Sequence, residues 1–248
     1  WASGQCKAKV EDAAPDPLFA HIAARRTNRN DYDAARAPSQ EQRTQIAVAT
    51  TIADAVHVVG AAVDQELVAQ IRDLVWRAFD REMRTRGAQE ETYRWLRFGA
   101  EERARHRDGL YIDVPVPGVL RALGILNEET VVNPESNANR QVAAEWKRKA
   151  DTAPAFMWLT TPDDTPTTRL IAGMAYARMN LAATAAGLAM HPWSQALQEY
   201  KEMADLYAEA KTLLGAGASE TVQMLARVGY AEPQAPAARR DIEAFIKS

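Results

Sequence analysis

The chain of 248 residues has a single cysteine, Cys6, which excludes an internal disulfide and a cysteine metal cluster. It has no apolar run near the roughly 18 residues that cross a bilayer, so no membrane partner is expected. It has no surplus of positive charge. The net charge is −3, and no overall basic field argues for nucleic acid or an anionic lipid surface. The glycine-rich patterns GxGxxG and GxxxxGK(S/T) are missing, as is a GxSxG elbow. The four histidines, His21, His57, His106 and His191, show no ligand spacing such as HExxH. A side-chain nucleophile, a Rossmann dinucleotide site and a metal site therefore lack candidates. Redox chemistry borrowed from an organic cofactor fits better, because the protein then supplies mainly binding and orientation.

What is present is ordinary for a soluble globular protein: 47% hydrophobic and 25% charged residues. The length allows one large domain or two small ones. No signal peptide is visible. The chain opens on Trp1, so the expected location is the cytoplasm or, if an export signal has been removed, the periplasm.

Asp16 and Pro17 read as the N-cap and first position of a short helix over 17–26, with Leu18, Ile22 and Phe19 on its apolar face. "PSQEQ" opens a helix over 38–53 in the manner of a capping box. Ala55 to Ala61 reads as a strand. Asp64 to Arg86 reads as a long amphipathic helix, with Leu67, Ile71, Leu74, Val75 and Phe79 at helical spacing. "EETYRWLRFG" adds a further helical turn or two, closed by Gly99. From 105 to 140, prolines, glycines and asparagines break any long period, and this segment reads as an irregular cover. "APAFMWLTT", 153–161, is the best buried strand. Residues 167–190 form the most apolar helix, rich in alanine and glycine, and another long helix is expected from Ser194 to Leu214. A strand ending at Gly229 and Tyr230, then "PQAPAARRD" and a short terminal helix, complete an α+β domain.

The stretch "IAARRTNRND", 22–31, concentrates charge in an otherwise slightly acidic chain. Arg25, Arg26 and Arg29 present forked donors that match phosphate oxygens and cannot be titrated away, and Thr27 and Asn28 add short polar groups. A second pair, Arg239 and Arg240, lies more than 200 residues later. Read alone, either cluster is a solvated surface patch.

Several segments together resemble the nitroreductase superfamily. "IAARRTNR" is similar to its phosphate-binding opening, and "TTRLIAGMAYARMNLAATAAGLAMHPWSQALQEY" to its central helix and the turn beneath the flavin. "MLARVGYAEPQAPAARRDIEAFI" is similar to its closing strand and terminal basic pair. The wording RRTNR, GLAMHPWSQ and RVGY is closest to the Acg-like FMN-binding branch. The match covers about residues 17–248, loosely in the middle.

The resemblance implies an FMN flavoprotein with a nitroreductase-like mixed β-sheet flanked by helices. It places Arg25, Arg26, Thr27, Asn28 and Arg29 at the phosphate and ribityl chain, completed by Arg239 or Arg240. It places Pro192, Trp193 and Ser194 along the isoalloxazine ring, with a backbone N–H near N5 or O4. The hydride would travel through flavin N5, so no catalytic side chain is expected. The implied partners are NAD(P)H and a flat acceptor such as a nitro-aromatic or quinone. The "PS…N.QPW" element of ordinary nitroreductases is absent, since "PSQEQRTQ" has Pro38 and Ser39 but no asparagine and no QPW. The chain thus resembles one nitroreductase unit, such as the second half of a longer duplicated protein, and is expected to pair with a second copy or with a missing N-terminal half. Three activities stay open: a reductase, an FMN-sequestering protein whose flavin face is covered by 105–140, and a structural unit without cofactor.

Overall fold

The computed structural model describes residues 14–52, 58–112 and 116–244. After a 3-10 turn over Pro17–His21 come α1 (Gln40–Thr50), β1 (Val58–Ala62), α2 (Gln65–Arg84), α3 (Arg86–Trp95), β2 (Leu96–Phe98), α4 (Gly99–His106) and β3 (Leu110–Ile112). Then follow α5 (Pro117–Ala122), α6 (Glu128–Val132), α7 (Asn137–Asp151), β4 (Ala155–Thr161), α8 (Pro166–Ala185), β5 (Ala189–Pro192), α9 (Ala204–Leu213) and β6 (Thr221–Gly229).

Local signals start these helices. Asp16 accepts from the Leu18 N–H, and Ser39 and Gln42 close a reciprocal capping box on α1. Asp64 caps α2 through the amides of Glu66 and Leu67. Thr165 and Pro166 open α8.

The main sheet runs in the order β1-β4-β6-β5, each ladder antiparallel. Beyond β5, Thr27 makes a parallel bridge to Met190, which gives the sheet its mixed character. Alternation along β4 divides the core. Ala155, Met157 and Leu159 face a cluster with Ile46 of α1 and Ala175, Met179 and Ala183 of α8. Phe156 and Trp158 face the other side, with Val68, Ile71 and Val75 of α2. The result is helices on both faces of a central sheet, the α+β arrangement expected. Gly60 lies opposite Trp158 in the β1–β4 register. A Cβ at Gly60 would stand 2.0 Å from the indole ring, so the indole occupies the space a side chain would take.

Four expectations are corrected. The helix expected over 17–26 is a 3-10 turn of five residues, with Phe19 and Ile22 exposed and Leu18 alone packed on the core. The helix expected from Ser194 to Leu214 is broken: two 3-10 turns, Gln195–Leu197 and Lys201–Met203, precede α9, because Gln198 and Tyr200 adopt extended backbone. Gly99 does not close a helix; at φ +77 it follows β2 and opens α4. Finally, the apolar helix over 167–190 stops at Ala185, and the turn through Gly187 at φ +71 leads into β5. The segment 105–140 holds β3, α5, α6 and the first turn of α7. The expected strand at 55–61 is described from Val58 onward, and its residues 55–57 lie outside the described ones. None of the described helices is long and apolar enough to cross a membrane.

Candidate cofactor-binding site

The basic turn is fastened to the sheet from below. The Asn28 amide donates to the Met190 carbonyl (3.1 Å), beside the Thr27–Met190 bridge. The Asn28 side chain is buried: its amide donates to the Glu232 carbonyl (2.7 Å), and its oxygen accepts from the Asn30 N–H (3.0 Å). Asn30 also reaches the Glu232 carbonyl (3.0 Å), and the Tyr32 hydroxyl donates to the Asn28 carbonyl (3.2 Å). Tyr32 pairs with Ala231 as an antiparallel bridge. Gly229 permits this approach, since a Cβ there would meet Pro154 at 2.5 Å and the Tyr32 ring at 3.2 Å. Asn28 is therefore spent on shaping the turn and has little left for a ligand.

The three arginines of the turn are in a different condition. Among the described residues, Arg25, Arg26 and Arg29 have no ion pair with a carboxylate. Arg26 donates to the carbonyls of Ala23 (2.7 Å) and Arg25 (2.8 Å). Most other arginines around the molecule do find acids: Arg77 with Asp73 and Glu209, Arg81 with Asp205, Arg84 with Asp80 and Glu135. Three neighbouring cations without acids, on a turn whose backbone is held rigid, suit a multiply charged anion.

Beneath the turn lies a polar group that the sequence pattern did not reveal. Arg227, near the end of β6, is wholly buried. Its Nε–H donates to His191 Nδ1 (3.2 Å), its cross-strand partner on β5. Its other nitrogens donate to the carbonyls of Lys149 (3.1 Å) and Asn30 (2.9 Å). The rings of Tyr32 and Trp193 cover the guanidinium at 4.1 and 5.4 Å. Burial pulls the Arg227 pKa down to about 10, which leaves it charged at neutrality. Burial, with the charges of Arg227, Arg29 and Lys149, holds His191 well below the ordinary imidazole range. His191 is thus neutral, with Nδ1 as an acceptor. The sequence carried one weak signal for this pair, the wording "RVGY" and "AMHPW".

The segment after β5 presents backbone more than side chains. Trp193 is wholly buried, packed edge-on against Trp146 (5.2 Å), and its amide donates to the Leu225 carbonyl (2.8 Å). Pro192 and Ser194, on either side of it, are half-buried. The terminal basic pair lies apart from the turn's hydrogen-bond network. Arg240 pairs with Asp108, which also pairs with Arg97 (3.0 Å), and Arg239 donates to the Ala238 carbonyl (2.9 Å). The tail leading there touches the turn earlier, where Gln234 accepts from the Arg29 N–H (3.4 Å). Two open clefts, of about 490 and 440 Å³, lie on α3 and β2 near Arg94 and Arg97.

No family model matches the chain, and no curated protein matches it. Solved structures do. The FMN-dependent nitroreductase NfnB from Mycobacterium smegmatis, in complex with NADPH, is 18% identical over 93% of this chain and 96% of its own, at a TM-score of 0.57. A nitroreductase with bound FMN from Bacteroides fragilis is 15% identical over 94% and 98%, at 0.53. An iodotyrosine deiodinase bound to FMN and 3-iodo-L-tyrosine is 14% identical over 90% and 95%, at 0.51. The chain has the nitroreductase fold.

Proposed function

We propose that the protein is an FMN-dependent oxidoreductase of nitroreductase type, taking hydride from NAD(P)H and passing it to a flat acceptor such as a nitro-aromatic or quinone. One observation carries the reading: three arginines with no acid partner among the described residues, on a turn pinned to the edge strand of a nitroreductase fold. Arg25, Arg26 and Arg29 bind the phosphate, and the Thr27 hydroxyl takes a phosphate or ribityl oxygen. Asn28 holds the turn in shape. Pro192 and Ser194 border the ring, and Trp193 supports that border from within the core. Of the terminal pair, Arg240 is engaged by Asp108 while Arg239 has no acid partner among the described residues, so Arg239 is the member that would complete the phosphate site. When bound, FMN supplies a hydride acceptor and donor, so the chain's own task is to hold it and to exclude water. The wording of the basic turn and of the segment after β5 supports a place near the Acg-like branch.

The unit that works is a dimer. Phe19 and Ile22 of the 3-10 turn, Val48 of α1, and Leu170 and Met174 of α8 are all more than half exposed, on elements that pack against one another. The solvent side of α8 also carries Gly173, open enough for a close neighbour.

The test is direct. The purified protein is mixed with FMN and NADH or NADPH without oxygen, and the visible flavin absorbance is followed. Fast bleaching, reversed by a quinone, is expected. A protein that takes up no FMN sinks the proposal; one whose flavin is reduced by dithionite alone would be a flavin holder instead.

A further inference from the structure

Arg227 is a buried cation in contact with three neutral acceptors and two aromatic faces, and with no carboxylate among the described residues. Such a charge is costly unless the surroundings compensate it. Part of the compensation is visible. Lys149 lies in the last turn of α7, so its carbonyl belongs to the negative end of that helix, and Arg227 satisfies it. The two aromatic rings add a favourable quadrupole. Asp31 favours the Arg227 charge from a distance, but its carboxylate is engaged by Arg148 on α7 (3.0 Å). Against these stands Arg29, whose charge opposes that of Arg227.

The third acceptor is the informative one. The Asn30 carbonyl follows directly after the basic turn, and Arg227 Nη2 holds it at 2.9 Å. The buried cation thus grips the turn from beneath while Arg25, Arg26 and Arg29 occupy the turn itself. Arg29 on the turn opposes the charge of Arg227 below it, and an anion held by the turn would relieve that repulsion.

We propose that Arg227 is a positioning residue for the phosphate group of the bound flavin, fixing the turn through Asn30 and adding its own field to that of the turn arginines without touching the ligand. The inference rests on the FMN reading above and extends it to a buried residue that holds the basic turn through the Asn30 carbonyl. His191 is its companion: a neutral acceptor keeps the Arg227 charge whole, where a carboxylate in the same place would cancel it.

The test uses the difference in affinity between FMN and riboflavin, which lacks the phosphate, read by quenching of flavin fluorescence. The wild-type protein is expected to favour FMN clearly. Arg227→Gln is expected to reduce that preference about tenfold or more, as loss of one unit charge at modest separation in a partly screened interior would, with riboflavin affinity little changed. His191→Asp sets a carboxylate oxygen where Nδ1 stands and leaves Arg227 and its bonds in place. It is expected to reduce the FMN preference similarly in a protein that still folds, so the outcome does not depend on whether Arg227→Gln is stable. Equal weakening of FMN and riboflavin would show a structural role only and overturn the proposal, as would an unchanged preference in His191→Asp. Wild-type protein that binds neither flavin would instead sink the functional reading on which the proposal stands.

Discussion

At the scale of single residues, the distinction that matters is between polar groups already spent and those held ready. Asn28 is spent: both ends of its side chain serve the backbone. Arg26 has no acid beside it among the described residues, so Arg26→Ala is expected to weaken FMN binding by about 1.5–3 kcal/mol, the usual worth of a hydrogen bond to a charged group. Flavin titration checks this. His191 predicts a pH effect. The fold keeps its imidazole neutral, with a pKa well below the ordinary value, whereas unfolded it takes a proton near pH 6.5. Below that pH the unfolded chain binds a proton that the folded one refuses. Stability from this group is therefore complete above about pH 6.5 and declines on acidification, by about 1.4 kcal/mol per pH unit until the folded pKa is reached. The groups facing His191 are Arg227, Arg29 and Lys149, all cationic, with Trp146 and Trp193 beside it. Urea unfolding at pH 7.5 and 5.5 should show a loss that shrinks in His191→Gln; an equal loss in the variant would place its source elsewhere.

Among the elements, β4 and α2 were legible because their signals are local. The run Ala155–Thr161 is wholly buried between two layers, and the spacing of Ile71, Leu74, Val75 and Phe79 matches one buried helix face. The break after Ser194 was not legible. Ala196, Met203, Leu206 and Ala210 are buried and fit a helical stripe, yet the 3-10 turns pack against α2 and bend the chain away from one axis. Strands β2 and β3 escaped notice because each has three residues, and β3 is exposed along its length. Beyond the wording "RVGY", nothing marked Arg227 as a site residue, since one arginine in an apolar strand says nothing of acceptors 78 and 197 positions away. The segment 105–140 read as an irregular cover, and this motivated a flavin holder; its helices α5 and α6 and strand β3 remove the premise of irregularity. At this scale two outcomes are expected. Gly60→Ala should destabilise the β1–β4 pair by about 1–3 kcal/mol, the common range for overpacking, because the new methyl meets the Trp158 ring; thermal unfolding reads this. Asp108→Asn should free Arg97 and Arg240 together and make the tail around Arg239 and Arg240 more susceptible to trypsin, with the core unaffected. A cleavage rate equal to wild type would show that Asp108 does not hold the tail.

For the molecule as a whole, the fold class was legible and the distribution of exposed surface was not. The 3-10 turn, α1 and α8 expose large apolar side chains, with Phe19, Val48 and Leu170 each about 70% exposed. Sedimentation is expected to give a dimer, and Leu170→Glu to shift it toward monomer with weaker flavin retention. A wild-type monomer with flavin bound would refute the paired arrangement.

The basic turn is completed by residues that lie far along the chain. Asn28 waits for the Glu232 carbonyl, 204 positions later, and Asn30 for Arg227. During synthesis, the arginines therefore leave the ribosome long before anything can hold them in place. On the proposed FMN function, cofactor capture would be a late event, coupled to the arrival of β6 and the segment after it. A nascent chain halted after α9 should carry its arginines as a loose, unselective charge, and gain flavin only when translation resumes.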